Sequence, residues 1–338
     1  MDNPNCVSAE ELKKQLSHFG SLESPDTGND RSTARSKRRP PWLIPSILLI
    51  SSLLSMMWAG MVAWSPVSVF DQAYSEGSFF VVRYHVLANW KSGLLFAVSL
   101  TIILGAHELG HYFATRFYRI PSTLPLFIPF PISPAGTCGA VIMMDGSQAD
   151  RKQIFDIGIA GPLTGLFFAI PIAVLGLMYG APPTSTTSTI QFGQPLFIQW
   201  LDGLVGNVQN VRNDSISNSS MNPMLMAAWV GLLVTGLNMI PVSQLDGGHV
   251  IFGLLGRRSR IVSWIAYLLC ACFVVYSAIR YKQPDFAIML LLIPLMGIGH
   301  PPSRNDHIQL DWARTALGLL SLTIPIVCIP LRPISLLP

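Results

Sequence analysis

Two histidines four residues apart, His107 and His111, enclose a glutamate, Glu108, in a run that is otherwise apolar from Ser92 to Ala114. On a helix this spacing stacks both imidazoles on one face, where they can grip a single metal ion. Glu108 lies about 100° round the helix from His107, within reach of a water at that ion. Two nitrogen ligands and a general base are the parts of a zinc hydrolytic centre. With seven His in 338 residues the pattern is rare by chance. The plainer reading is a pair of hydrogen-bonded packing histidines. It must explain three ionisable groups in a lipid-grade run, where each costs several kcal/mol.

A zinc site built on two His needs one more ligand and leaves a fourth position for water. Asp246 is the candidate, as one of very few carboxylates in the apolar part of the chain, within Asn238-Met-Ile-Pro241-Val-Ser-Gln-Leu245-Asp246-Gly247-Gly248-His249. Pro241 interrupts a helix and the paired glycines free the backbone to turn. Asp246 is therefore expected on non-helical backbone at membrane depth, tolerated only inside protein or beside a water-filled cavity. An Asp that caps a Gly-Gly turn is the alternative. His249 and His300 read as interface or supporting residues, Asp156 as a solvated interfacial carboxylate, and Cys138 as a small packing residue.

The elements that position these groups belong to a membrane protein. Half of the residues are hydrophobic and 12% are charged, with a mean hydropathy of +0.46, against about 25% charged in soluble domains. The net charge of +4 comes from basic residues beside apolar runs, which speaks for membrane orientation and against a nucleic-acid partner. Cys6, Cys138, Cys270, Cys272 and Cys328 include no C-x-x-C pair. Neither a disulfide framework nor a cysteine zinc site is indicated.

The expected fold is an all-α polytopic membrane protein with about seven transmembrane helices, a three-helix catalytic core, a re-entrant loop and a short β-strand. Residues 1–40 read as a polar cytoplasmic tail ending in the basic cluster 35–39, with no apolar stretch suited to a cleaved signal peptide. Residues 41–91 hold a first span, about 42–64, and an external connection in which 78–84 is a short strand or interfacial segment. Residues 92–250 hold the core: spans at about 92–118, 154–180 and 224–240. Its five-proline stretch 121–134 is too greasy for a solvated loop and is expected to re-enter the membrane. A strand over 136–144 follows, whose free edge could pair with an unwound peptide; a plain turn and strand is the other reading. Gly161-Pro-Leu-Thr-Gly165 is a small-xxx-small pattern that admits another helix closely, expected to be the His107 helix. Residues 181–223 form a polar external loop with N-x-[ST] patterns at Asn213 and Asn218. Residues 251–338 hold spans at about 261–281, 286–299 and 313–331.

The chain resembles the site-2 protease family of intramembrane zinc metalloproteases. The resemblance rests on His107-Glu108-Leu-Gly-His111 and on Asn238-x-x-Pro241-x-x-x-Leu245-Asp246-Gly247, with support from Gly136-Thr137-Cys-Gly139-Ala140 and Ala160-Gly161-Pro162. It implies that His107, His111 and Asp246 ligate one zinc per chain and that Glu108 is the catalytic base. Asn238 would help to hold the substrate backbone or the oxyanion, and Gly136, Thr137 and Gly139 would lie against substrate. No insertion of PDZ size separates the two motifs, so the resemblance is to PDZ-less bacterial and plastid-type members.

The function expected is hydrolysis of a peptide bond in or near the transmembrane segment of a single-span or membrane-anchored protein, by regulated intramembrane proteolysis. The setting expected is a bacterial inner membrane with the N-terminus in the cytoplasm. A membrane metal transporter would show such residues on more spans, and a catalytically silent family member would have lost Glu108 or a ligand. The sequence leaves the oligomeric state open.

Overall fold

In hydrocarbon every backbone N–H and C=O needs an internal partner, so uncharged runs of this length can only be helices. The computed structural model describes residues 42–179, 190–205, 215–217, 221–242, 244–283, 286–301 and 303–336. The basic cluster 35–39, the tail before it and both N-x-[ST] asparagines lie outside the described residues.

Among the described residues, four helical segments are long and apolar enough to cross a membrane. They are α1 (Leu43–Met61), α3 (Phe80–Phe117), α4 (Arg151–Met178) and the stretch Asp246–Tyr281. The last comprises α7 (Asp246–Leu255), a 3-10 turn and α8 (Ser259–Tyr281). Between α1 and α3 lies α2 (Pro66–Ser75). The remaining helices are α5 (Leu196–Val205), α6 (Pro223–Asn238), α9 (Ala287–Met296), α10 (Trp312–Ser321) and α11 (Ile324–Cys328). Three of the seven expected spans are thus shorter pieces. At 1.5 Å per residue the ten residues of α9 reach about 15 Å, half of the hydrocarbon thickness.

Two expectations about local structure are corrected. Residues 80–84 are not a strand but the first turns of α3, which starts at Phe80. The β-branched pair Val81-Val82 is overridden by a helix that continues into the apolar run. Asp246 is not on irregular backbone: the break comes after α6 ends at Asn238, and Asp246 is the first residue of α7. Gly247 serves close approach rather than a turn, since a Cβ there would meet the Met239 carbonyl oxygen at 2.1 Å.

Among the described residues, five short strands form two small sheets. β1 (Leu126–Pro129) pairs antiparallel with β2 (Thr137–Val141), in register Leu126 to Val141 and Phe127 to Ala140. The hairpin docks on α1, where Ser55 Oγ donates to the Gly136 carbonyl at 2.5 Å. Gly136 has φ +73°, and a Cβ would meet the Met56 Cα at 2.5 Å, so glycine is required twice over there. The second sheet has the order β4 (Ser215–Ser217), β3 (Ile190–Gly193), β5 (Ile334–Leu336). It ties the end of the chain to the connection between α4 and α6, a pairing that the reading of 181–223 as a polar loop did not contain.

The centre of the bundle is α4, packed against α3, α6 and α7, with α1 on the far side of α3. Phe96, Leu100, Ile103, Phe155, Ala169, Met226 and Leu232 are fully buried there. The N-terminus of α4 is fixed by a capping box between Asp150 and Gln153. Asn222 caps α6, accepting from the Leu225 N–H at 2.9 Å.

Candidate metal centre

The helix α3 carries His107 and His111 one turn apart, with ring centroids 5.0 Å from each other. The carboxylate of Asp246 reaches them from the first turn of α7. Its Oδ2 lies 3.1 Å from His107 Nε2 and its Oδ1 lies 3.2 Å from His111 Nε2. These three residues are the one group among the described residues whose donor atoms, all within 4.8 Å of one another, could hold a metal ion. His107 and Asp246 are 2% and 9% exposed, so the site is inside the protein.

The backbone selects the tautomer that a metal needs. His111 Nδ1–H donates to the Ile157 carbonyl at 2.8 Å, which leaves Nε2 with its lone pair turned to Asp246. A metal-ligating His ordinarily donates its other N–H in this way. His107 Nδ1 is buried without a partner among the described residues. Two imidazole nitrogens and a carboxylate oxygen converging on one point fit zinc, which takes N and O ligands in an open catalytic site.

Glycines on α4 make the approach of α3 and α7 possible. A Cβ on Gly161 would lie 2.1 Å from His111 Nε2, and one on Gly165 would lie 3.1 Å from the His107 ring. A Cβ on Gly158 would meet His249 Cβ at 2.6 Å. From the other side, a Cβ on Gly110 would meet the Ala160 carbonyl at 2.6 Å. The small-residue pattern at Gly161 and Gly165 therefore faces the His107 helix, as its spacing predicts.

A cavity of about 600 Å³ opens beside the three residues and is lined by Glu108, His111, Asp246 and Asn238, by 140–144 at the end of β2, and by His249 and His300. Glu108 is 6% exposed and lies on the cavity side of α3. Asn238 ends α6 and lies at the cavity wall beside the break. Gly136, Thr137 and Gly139 are not among the lining residues. Thr137 Oγ1 donates to the Ile128 carbonyl at 2.8 Å and accepts from the Gly139 N–H at 3.0 Å. These residues shape the hairpin, and the strand beyond them reaches the cavity.

One feature of the surroundings differs from expectation, and a second gives the supporting role read for His249 and His300 a definite contact. Asp156 is not a solvated carboxylate: Arg314 Nε and Nη2 hold it at 2.7 and 3.0 Å, and the Tyr118 hydroxyl donates to it at 2.5 Å. Burial and then Asp156 push the Tyr118 phenol up to about 12. His300, in the segment after α9, reaches back to the cavity and pairs with His249. Local spacing contains no signal for either contact.

Residues 95–276 match the family model described as Peptidase family M50. The probable zinc metalloprotease EGY2, chloroplastic, of Arabidopsis thaliana is 30% identical over 245 residues, covering 71% of this chain and 42% of that protein. The probable zinc metalloprotease EGY1, chloroplastic, of Oryza sativa subsp. japonica is 32% identical over 246 residues, covering 71% of this chain and 41% of that protein. The chain thus spans about two fifths of the length of these curated relatives. No solved structure matches it.

Proposed function

The chain belongs to peptidase family M50, the site-2 protease family, and on that premise we propose that it is a zinc-dependent intramembrane endopeptidase. Its substrate is a single-span or membrane-anchored protein, cut in or near the transmembrane segment as a step of regulated proteolysis. The observation that carries this reading is the meeting of His107, His111 and Asp246 in one buried cluster, with Glu108 lining the same cavity.

His107, His111 and Asp246 would hold the metal. Bound zinc supplies Lewis acidity, polarising a scissile carbonyl and acidifying a water. Glu108 takes the proton of the attacking water and returns it to the leaving amine, the general acid–base role open to a carboxylate in this place. The Asn238 side chain offers an amide N–H to the substrate backbone or to the developing oxyanion. A helical substrate must unwind before its carbonyl can be attacked, and unpaired backbone groups are expensive at this depth. Among the described residues the second edge of β2 has no strand partner. It can take the unwound peptide by strand addition next to the metal ligands.

The membrane arrangement belongs to the same proposal. The core is 92–250, preceded by 41–91 and followed by 251–338, with the tail 1–40 in front. Seven passes are counted when α6 with α7, and α10 with α11, each form one broken crossing. Two sets of contacts support the count. Arg151 donates to the Gly253 and Leu254 carbonyls at 2.9 and 2.8 Å, so α4 starts where α7 ends. Arg332 lies 4.3 Å from the Tyr281 ring and β5 pairs with β3, so α8 and the chain end meet at the opposite end. The hairpin between α3 and α4, with Phe127 beside Gly105, acts as the re-entrant element. Arg116, Arg119, Arg151, Lys152, Arg257, Arg258 and Arg260 mark the first end as cytoplasmic. A bacterial inner membrane with a cytoplasmic N-terminus is the setting we propose.

Co-expression with a panel of single-span proteins tests the reading. At least one panel member is cut by the wild type and by none of the Glu108→Gln preparations that still carry one zinc per chain. Cleavage that persists in Glu108→Gln overturns the base assignment. A zinc-loaded wild type that cuts nothing and moves zinc across vesicles would make it a transporter.

A further inference from the structure

His300 lies outside the residues that the family model matches, yet its ring enters the wall of the catalytic cavity. Three contacts fix it. The ring stacks on Phe252 with centroids 4.2 Å apart and planes 14° apart. His300 Nδ1 lies 2.5 Å from the Pro301 carbonyl oxygen, and His300 Nε2 lies 2.7 Å from His249 Nδ1. A carbonyl can only accept, so His300 Nδ1 carries a proton and donates it to Pro301. Burial lowers the pKa of His300 and favours its neutral form. Neutral His300 then has a lone pair at Nε2, which accepts from His249 Nδ1–H. The chain of donors leaves His249 Nε2 unprotonated.

That nitrogen has no hydrogen-bond partner among the described residues, and His249 lines the cavity one turn after Asp246. A peptide paired with β2 by one edge turns its other edge away from β2. The N–H groups on that edge lose their water at this depth and must find an acceptor. We propose that His249 accepts a backbone N–H of the bound substrate peptide through Nε2, and that His300 is a positioning residue that fixes the accepting tautomer. This rests on the peptidase reading above for the nature of the ligand. It adds a substrate contact from α7 in the cavity that the end of β2 also lines, supported from the C-terminal part of the chain.

The two jobs of the His300 ring, stacking and accepting, can be separated by substitution. His300→Phe keeps the stack on Phe252 and removes the acceptor. His300→Gln loses the ring and keeps an acceptor oxygen. The probes are a fluorescein-labelled peptidyl hydroxamate with two backbone N–H groups, followed by polarisation, and acetohydroxamate, which has no peptide backbone, as a competitor. Both are titrated into the full-length, zinc-loaded protein in detergent. The expected result is about tenfold weaker binding of the peptidyl probe to His300→Phe, with a His300→Gln value within about threefold of wild type. Acetohydroxamate binds all three proteins alike. Equal binding of the peptidyl probe to His300→Phe and wild type overturns the proposal, as does an equal loss for both probes, which would place the effect at the metal. Should His300→Phe fail to fold, His249→Leu must show the same selective loss, and its absence overturns the proposal equally. The readout needs no turnover, so a wild type without peptidase activity would defeat the reading above and leave this comparison decisive.

Discussion

Replacing Gly161 by alanine adds one methyl group at the tightest point between α4 and the proposed metal ligands. The new Cβ would stand 2.1 Å from His111 Nε2, where ordinary contact begins near 3.4 Å. The imidazole must therefore move by about 1.3 Å or the helices must part. Metal sites hold their ligand distances to within about 0.2 Å, so either movement removes His111 from the zinc. Helix α4 itself gains, since alanine is favoured over glycine by about 0.5–1 kcal/mol in a helix interior. The expected outcome is a folded protein with a poor site. Zinc affinity falls at least about 100-fold, equivalent to about 2.7 kcal/mol, while the melting temperature of the zinc-free protein changes little. Gly203→Ala is the control, because a Cβ there meets nothing within 4 Å. Competition against a chromogenic chelator gives the affinity, and metal analysis gives the stoichiometry. One zinc per chain at wild-type affinity in Gly161→Ala would show that α4 does not pack against His111 as described.

Other perturbations give separate readings. Glu108→Gln keeps zinc and lowers peptide cleavage by at least about 100-fold, measured with any panel protein that the wild type cuts. Arg314→Leu leaves the largely buried Asp156 without its cation and loosens α10 from α4, which lowers stability by about 1–3 kcal/mol in thermal unfolding. Ser55→Ala removes the anchor of the hairpin on α1 and costs about 1 kcal/mol in the same assay. The Ser303 hydroxyl, with the Ser303 N–H and Arg257, holds the Asp306 carboxyl below its ordinary pKa. That stabilisation is complete above about pH 4 and is lost as pH falls through the folded pKa. Asp306→Asn should flatten the acid limb of a stability-against-pH curve, and an unchanged limb would contradict it.

What the sequence made legible was local. His107, Glu108 and His111 share one helical turn, so their chemistry needed only the 3.6-residue repeat and an apolar setting. Gly161 and Gly165 announced a close helix contact for the same reason. Asp246 could be linked to them because so few carboxylates lie in apolar surroundings, although the break fell before it rather than around it. Gly247 and Gly248 read as turn residues, yet they sit inside helix α7, where Gly247 makes room for the preceding backbone. The long-range polar contacts were not legible. Arg314 and Asp156 are 158 positions apart, and His300 and His249 are 51 apart. The pairing of β3 with β5 depends on two short segments that meet only when the intervening helices are in place. Four residues of strand carry too little alternation to predict a partner from across the chain.

The account depends most on the convergence of α3 and α7 at a single zinc. X-ray absorption at the zinc edge, on the full-length protein loaded with one equivalent, reads this directly. The account predicts two imidazole nitrogens and a carboxylate oxygen in the first shell, and loss of the imidazole signature in a His107→Ala His111→Ala protein. It also predicts a changed shell and weakened retention in Asp246→Ala. A spectrum and affinity that ignore Asp246→Ala would contradict it.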